Sequence, residues 1–107
     1  MINIVVTNKD NKIKKISILG HALYDDYGKD IVCSGVSSVV ITSVNAIMSF
    51  DKNYISYESK KDNFEITINE HNQIVDNLIN NMINMLKDIE NDYPKNVKFR
   101  KENLWIC

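Results

Sequence analysis

Two side chains in the first third of the chain, His21 and Cys33, have the chemistry of a nucleophilic site. Both are scarce residue types, because the 107 residues include two histidines and two cysteines. A cysteine attacks as the thiolate, which is a small fraction of an ordinary thiol at neutral pH. An imidazole within reach takes the thiol proton and then stands beside the sulfur as a positive counter-ion. The pair therefore predicts a thiolate–imidazolium site if the fold brings the two side chains together.

Two regular elements are predicted to hold this pair. Residues 12–19 are rich in Ile and Val and predict a strand that ends immediately before Gly20 and His21. From Cys33 to about Phe50 apolar residues recur at every fourth position, which predicts a core-facing helix. A helix N-terminus carries unpaired N–H groups and a partial positive charge, and both favour a thiolate. We therefore expect the thiol at the mouth of a helix and the imidazole at the end of a strand.

Residues around the thiol supply further candidates. The backbone N–H groups of Ser34 and Gly35 are predicted to receive the oxyanion that forms when a carbonyl is attacked, since Gly35 has no side chain to obstruct it. Asp30 is predicted either to cap the helix or to orient the histidine, and the sequence does not decide between the two. Ser37 lies one helical turn after Cys33, where its hydroxyl is able to contact the sulfur.

The segment between the pair, residues 22–32, is too long and too polar for a tight strand-to-helix connection, which indicates a functional loop. Gly28 gives the middle of this loop the backbone freedom that a gating lid uses. Tyr24 and Tyr27 either line a substrate cleft or pin the loop to the domain, and both interpretations stay open.

Other interpretations of the same residues are structural. Cys33 is alternatively a small packed residue at a helix start, and a redox-sensing role would lack a resolving cysteine at a useful spacing. We expect no metal and no cofactor, because the cysteines and histidines show no paired-ligand spacing. His71 is interpreted as solvated and Cys107 as an exposed thiol without function.

Composition predicts one domain over residues 1–107, with 44% hydrophobic residues for its core. Thirteen basic and fourteen acidic residues give a net charge of −1, so no direct binding to nucleic acid or to an anionic membrane is expected. The N-terminus lacks the features of a signal peptide, and we find no run of about eighteen apolar residues. A cytoplasmic protein with free thiols is therefore expected.

The remaining pattern predicts an α+β two-layer sandwich of order ββαββαβ, an antiparallel sheet with two helices on one face. A polar turn separates the first two strands, at residues 2–7 and 12–19, and a second hairpin is predicted at residues 54–59 and 64–69. The second helix is predicted over residues 71–93 with Asn69 as its cap. A closing strand near residues 96–101 is followed by a tail in which Leu104, Trp105 and Ile106 are expected to pack on a neighbouring surface.

The stretch GHALYDDYGKDIVCSGVSS, residues 20–38, resembles the ribosomal-processing cysteine protease Prp family of small bacterial proteins. The resemblance consists of GHA, a spacer containing tyrosine and glycine, and DIVCSGVSS, and it extends over the chain in length and element order. It implies a cysteine endopeptidase that removes a short N-terminal extension from a large-subunit ribosomal protein, cutting after an aromatic-rich sequence.

By position, the resemblance implies that His21 is the catalytic histidine and Cys33 the nucleophile, with Asp30 and Ser37 as neighbouring site residues. It also implies a homodimer and a mobile loop at residues 22–32. The alternative function is a non-enzymatic module that binds a peptide or a ribosomal partner through the same loop.

Overall fold

The computed structural model describes residues 1–103, and these form seven elements in the predicted order ββαββαβ. The elements are β1 (Ile2–Lys9), β2 (Lys12–Gly20), α1 (Ile31–Phe50), β3 (Ile55–Lys60), β4 (Asn63–Ile68), α2 (Gln73–Asp92) and β5 (Val97–Asn103). The predicted tail contact of Leu104, Trp105 and Ile106, and the interpretation of Cys107, lie outside the described residues.

The five strands form one sheet in the order β3-β4-β2-β1-β5. The α+β class is confirmed, but the sheet is mixed and not wholly antiparallel, because β5 runs parallel to β1. The physical reason is that α2 carries the chain back across the sheet between β4 and β5, so these two strands point the same way. Because β4 and β1 are both antiparallel to β2, β5 is also parallel to β1. Strand patterning shows which face is covered and carries no information about strand direction.

The core lies between one face of the sheet and both helices. Ile4 and Ile16 are fully buried on the sheet side, and Met82 and Leu86 are fully buried on α2. The every-fourth-residue pattern of α1 is confirmed, and its buried residues are Val32, Val36, Val40, Val44 and Ile47. Burial of this stripe outweighs the small helix penalty of β-branched residues.

Helix α1 carries no charged residue over its 20 positions. Its length and mean hydropathy match those of a membrane-spanning helix, a similarity that the search for an uninterrupted apolar run did not indicate. The same helix packs against the sheet and α2 in the core, which is the arrangement of a core helix in a globular domain.

Both helices have caps that the structure defines. Helix α1 begins at Ile31, two residues earlier than predicted, because the Asp30 side chain caps it. Helix α2 begins at Gln73, and its cap is Asn72, whose side chain accepts a hydrogen bond from the Val75 N–H. The prediction of Asn69 as the cap is wrong, since the Asn69 side chain instead donates to the Ser56 hydroxyl at 2.8 Å.

Gly20 ends β2 with a φ of +84°, and a Cβ at this position would lie 2.7 Å from the Met1 carbonyl oxygen. Gly28 has the same φ of +84°, but among residues 1–103 no atom beyond its chain neighbours lies within 4 Å of such a Cβ. The two glycines therefore share a left-handed backbone and differ in the space around them.

This difference predicts that Gly20→Ala destabilises the fold more than Gly28→Ala does. Both substitutions incur left-handed strain of about 1–2 kcal/mol, and only Gly20→Ala adds a backbone clash, worth about 1–3 kcal/mol more. Urea unfolding followed by circular dichroism measures both free energies. Equal losses in the two variants would show that the approach of Met1 to Gly20 does not constrain the fold.

Candidate active site

A cleft of about 680 Å³ opens where β2 ends and α1 begins. Its lining includes both His21 and Cys33, together with residues of the connecting loop and of the β3–β4 turn. Apolar side chains form much of the remaining wall, among them Ile2, Ile18 and Phe64. The two residues predicted to act together thus border the same cavity.

Cys33 is the third residue of α1 and is partly buried. Its sulfur accepts a hydrogen bond from the Ala22 backbone N–H at 3.3 Å. The Ala22 carbonyl oxygen accepts from the Asn96 side-chain amide at 2.9 Å, so both backbone polar groups of Ala22 have partners. The residue that follows His21 therefore touches the thiol directly, and the strand end and the helix start are joined.

His21 is exposed at the rim of the cleft, where its Nε2 atom lies 2.6 Å from the Asp62 carboxylate. Within residues 1–103 the hydrogen bond of this ring goes to Asp62 and not to the sulfur. Catalytic hydrogen bonds are commonly long or misaligned before substrate binds, so this geometry is compatible with proton transfer in the complex.

Asp62 is a site residue that sequence reasoning missed. It lies in the turn between β3 and β4, 41 positions from His21. The second hairpin predicted from the sequence contains this turn, but the turn residues KKDN do not show which strand lies alongside. Because β4 pairs with β2, with Leu19 opposite Asn63, the turn reaches the end of β2.

The Asp30 carboxylate is buried, with 7% of the residue exposed. One oxygen accepts from the N–H groups of Val32 and Cys33, both at 3.0 Å, and the other accepts from Tyr24 and Asp25, at 3.0 and 3.4 Å. The structure thereby decides between the two roles left open, because Asp30 caps the helix and its bonds do not go to the histidine.

Burial raises the pKa of the Asp30 carboxyl, but the backbone N–H donors outweigh burial and hold this pKa below its ordinary value. The donors are those of Cys33, Tyr24, Asp25 and Val32. A carboxylate at the helix start also meets the partial positive charge there, so less of that charge is left for the sulfur. We therefore expect the imidazole to contribute more than the helix end to activating the thiol.

One of the two predicted oxyanion donors has another partner in this structure. The Ser34 N–H donates to the Asp30 carbonyl oxygen at 3.0 Å. Gly35 lies toward α2, since a Cβ there would sit 3.7 Å from Ile89. An oxyanion role for Ser34 and Gly35 stays a prediction, and the backbone N–H that donates to the sulfur is that of Ala22.

The two loop tyrosines have different positions. Tyr24 packs edge-on against Tyr93 with ring centroids 5.3 Å apart, which pins the loop to the domain. Tyr27 is fully exposed and lines the cleft, as do Gly28 and Ser37. The cleft-lining interpretation therefore fits Tyr27, and the pinning interpretation fits Tyr24.

Residues 1–103 contain no group of three or more His, Cys, Asp or Glu side chains that could hold a metal ion. Three acidic residues line the cleft, namely Asp25, Asp30 and Asp62. The arrangement supplies a nucleophile, a base and a carboxylate beside that base, which is the set that acyl transfer through a thiol needs.

Comparison with known proteins identifies relatives over nearly the whole chain. The family model described as cysteine protease Prp matches residues 1–98. The ribosomal processing cysteine protease Prp of Staphylococcus aureus is 32% identical over 102 residues, which cover 92% of this chain and 96% of the relative. The protein of the same name from Bacillus subtilis is 32% identical over 100 residues, covering 83% of this chain and 86% of the relative.

Solved structures agree with this assignment. The crystal structure of the S. aureus ribosomal processing protease Prp in complex with a covalently linked product peptide superposes with a TM-score of 0.88 at 29% identity. The match covers 95% of this chain and all of the solved chain. The fold described above is thus one that has been seen holding a covalently attached peptide.

The lowered pKa of Asp30 predicts a stability that depends on pH in the acid range. Since the folded-state pKa lies below the unfolded one, the carboxylate contributes stability above the ordinary Asp range, and this is lost as pH falls through the folded pKa. We expect Asp30→Asn to lower the midpoint of thermal unfolding by several degrees at neutral pH and to flatten its decline in acid.

Thermal unfolding followed by circular dichroism from neutral pH to about pH 2 measures this effect. Asp88→Asn, which removes an exposed carboxylate of α2, is the charge-matched control. Parallel curves for Asp30→Asn and the unaltered protein would contradict the role given to the four backbone donors.

Proposed function

This chain belongs to the cysteine protease Prp family, and we propose that it removes the short N-terminal extension of a large-subunit bacterial ribosomal protein. The observation that carries the proposal is the cleft itself, because it joins the Cys33 thiol and the His21 imidazole in a fold that elsewhere holds a covalently linked product peptide. Ribosomal processing is the activity for which the relatives are named.

In the proposed reaction the His21 imidazole takes the proton of the Cys33 thiol, and the thiolate attacks the carbonyl carbon of the scissile peptide. The new C–S bond leaves an oxyanion, which collapses as the C–N bond breaks. The departing amine takes the proton from the imidazolium. Water then attacks the thioester with the imidazole as base, and this step releases the carboxylate product and restores the thiol.

The wall of the cleft supports a substrate with apolar and aromatic residues near the cut. Leu23 and Tyr27 of the loop are strongly exposed at the cleft, with 77% and 101% relative exposure, so they offer apolar area that a peptide is able to cover. Aromatic and aliphatic contacts bind through area and need no net charge. Asp25 also lines the cleft and is the carboxylate placed to meet a basic substrate residue, since Asp30 is occupied by backbone donors.

We also propose a cytoplasmic homodimer, as the resemblance to the family implies. The substrate extension is the proposed partner, and direct nucleic-acid or membrane binding is not part of the proposal. A net charge of −1 gives the protein no bulk attraction to either polyanion. Ser37 lines the cleft one turn beyond Cys33 and is retained as a supporting residue.

The mechanism predicts that Cys33→Ala and His21→Ala each lower cleavage of the precursor ribosomal protein by at least about 10³-fold, as expected when a nucleophile or its base is removed. Incubation of the purified protein with the precursor from its own source, followed by intact-mass measurement, gives both the extent and the position of cleavage. Circular dichroism establishes that both variants remain folded.

Cys107→Ala is the matched thiol control and is expected to cleave normally. Normal turnover by Cys33→Ala would remove the thiolate mechanism. Binding of the extension peptide without cleavage by the unaltered protein would favour the alternative of a non-enzymatic peptide-binding module.

The position of Tyr27 predicts a role in substrate binding. Tyr27→Ala removes an aromatic side chain at the cleft, and we expect kcat/KM to fall about 2- to 10-fold, mainly through KM, because one aromatic contact is worth about 0.5–1.5 kcal/mol. Ile41→Ala is the control, since Ile41 is 53% exposed on α1 and does not line the cleft. Equal kinetic effects of the two substitutions would contradict a substrate contact at Tyr27.

A further inference from the structure

We propose that Asp62 is a positioning residue for His21, which it holds through Nε2 so that Nδ1 is the ring atom that takes the Cys33 proton. The proposal rests on the proposed function, because it assigns the proton transfer of that reaction to one nitrogen. The proposal gives Asp62 no contact with the thiol or the substrate, and Asp62 acts through the His21 ring alone.

The contact between His21 and Asp62 determines which ring nitrogen bears the hydrogen. Nε2 of His21 and Oδ1 of Asp62 are 2.6 Å apart, which is short for a hydrogen bond between a ring nitrogen and a carboxylate. An ionised carboxylate accepts hydrogen bonds and has none to donate, so the hydrogen at this contact belongs to Nε2. In the neutral imidazole the other nitrogen, Nδ1, is then without a hydrogen and is the base.

The backbone of Asp62 also holds the end of β2 that bears His21. The Asp62 carbonyl oxygen accepts from the Gly20 N–H at 2.9 Å, so the turn is bonded to the residue immediately before His21. Asp62 has a φ of +59°, a left-handed conformation that Asp and Asn adopt more readily than other residues with a side chain. Side chain and main chain of one turn residue thus hold the ring and the strand end that bears it.

The other carboxylates near His21 have hydrogen-bond partners of their own. Both oxygens of Asp30 accept from backbone N–H groups, and Oδ1 of Asp25 accepts from the Asp26 N–H at 2.7 Å. Asp62 is therefore the carboxylate that the described structure gives to the histidine.

The solvent exposure of the pair predicts when the contact matters. The side chains of His21 and Asp62 are 56% and 48% exposed, so water screens their attraction in the free protein. Both line the cleft, and a peptide lying in it would cover them and strengthen the same contact. Holding the ring is thus expected to act on the bound complex, where the reaction occurs.

The kinetic test compares Asp62→Asn and Asp62→Gly with the unaltered protein. Both replacements accept the left-handed backbone of the turn, so the fold is expected to survive. We expect kcat to fall about 3- to 30-fold for Asp62→Gly and less for Asp62→Asn, which keeps an acceptor oxygen, while KM changes less than about twofold. A loss confined to KM, or no loss of kcat, would overturn the proposal.

Asp10 provides a matched control, because it is a turn aspartate of the β1–β2 hairpin with a φ of +54° and does not line the cleft. Asp10→Asn and Asp10→Gly make the same chemical changes in a similar backbone and are expected to leave kcat unchanged. Equal losses of kcat at positions 10 and 62 would assign the effect to turn chemistry in general and would overturn the positioning role.

A spectroscopic test separates this inference from the proposed function, because it needs no turnover. Long-range ¹⁵N–¹H correlation spectra of the His21 ring in a Cys33→Ala background report which nitrogen carries the hydrogen of the neutral ring. We expect the Nε2–H form with Asp62 present and a mixture of the two forms in Asp62→Gly. An unchanged tautomer in Asp62→Gly would overturn the proposal even if the protease activity were established.

Discussion

The buried carboxylate of Asp30 is the constraint on which the rest of the site depends. Its two oxygens accept from four backbone N–H groups, two in the first turn of α1 and two in the loop. A single side chain therefore ends the loop, begins the helix and fixes the distance between them. The position of the Cys33 sulfur follows from this, since Cys33 is itself one of the donors.

The same constraint changes how the thiol is expected to be activated. A helix N-terminus favours an anion when its N–H groups and its partial charge are free, and here a carboxylate already occupies them. The demand on the imidazole is correspondingly larger, and so is the importance of whatever holds the imidazole in place. The hydrogen bond between His21 and Asp62 is therefore expected to matter for activation of the thiol, because it holds the imidazole in place.

Prediction from sequence was most successful where the signal is local. Strand β2, helix α1 and the long loop between them follow from periodicity and from loop length, and these put His21 and Cys33 on opposite ends of one segment. The role of Asp30 could not be chosen, because capping and orienting a histidine require the same residue type at the same place. Asp62 and the parallel pairing of β5 could not be found at all, since both depend on which strands become neighbours.

The parallel pairing of β5 with β1 has a consequence for how the protein is made. Strand β1 lies between β2 and β5, so one of the first segments to be synthesised pairs along one edge with one of the last. The loop peptide at Ala22 likewise depends on Asn96, 74 positions later. Contacts of such long sequence separation slow folding, because the chain loses the entropy of loop closure before the contact stabilises it. In a nascent chain, the pairing of β1 with β5 and the hydrogen bond that holds Ala22 are therefore expected to form only after β5 has been translated.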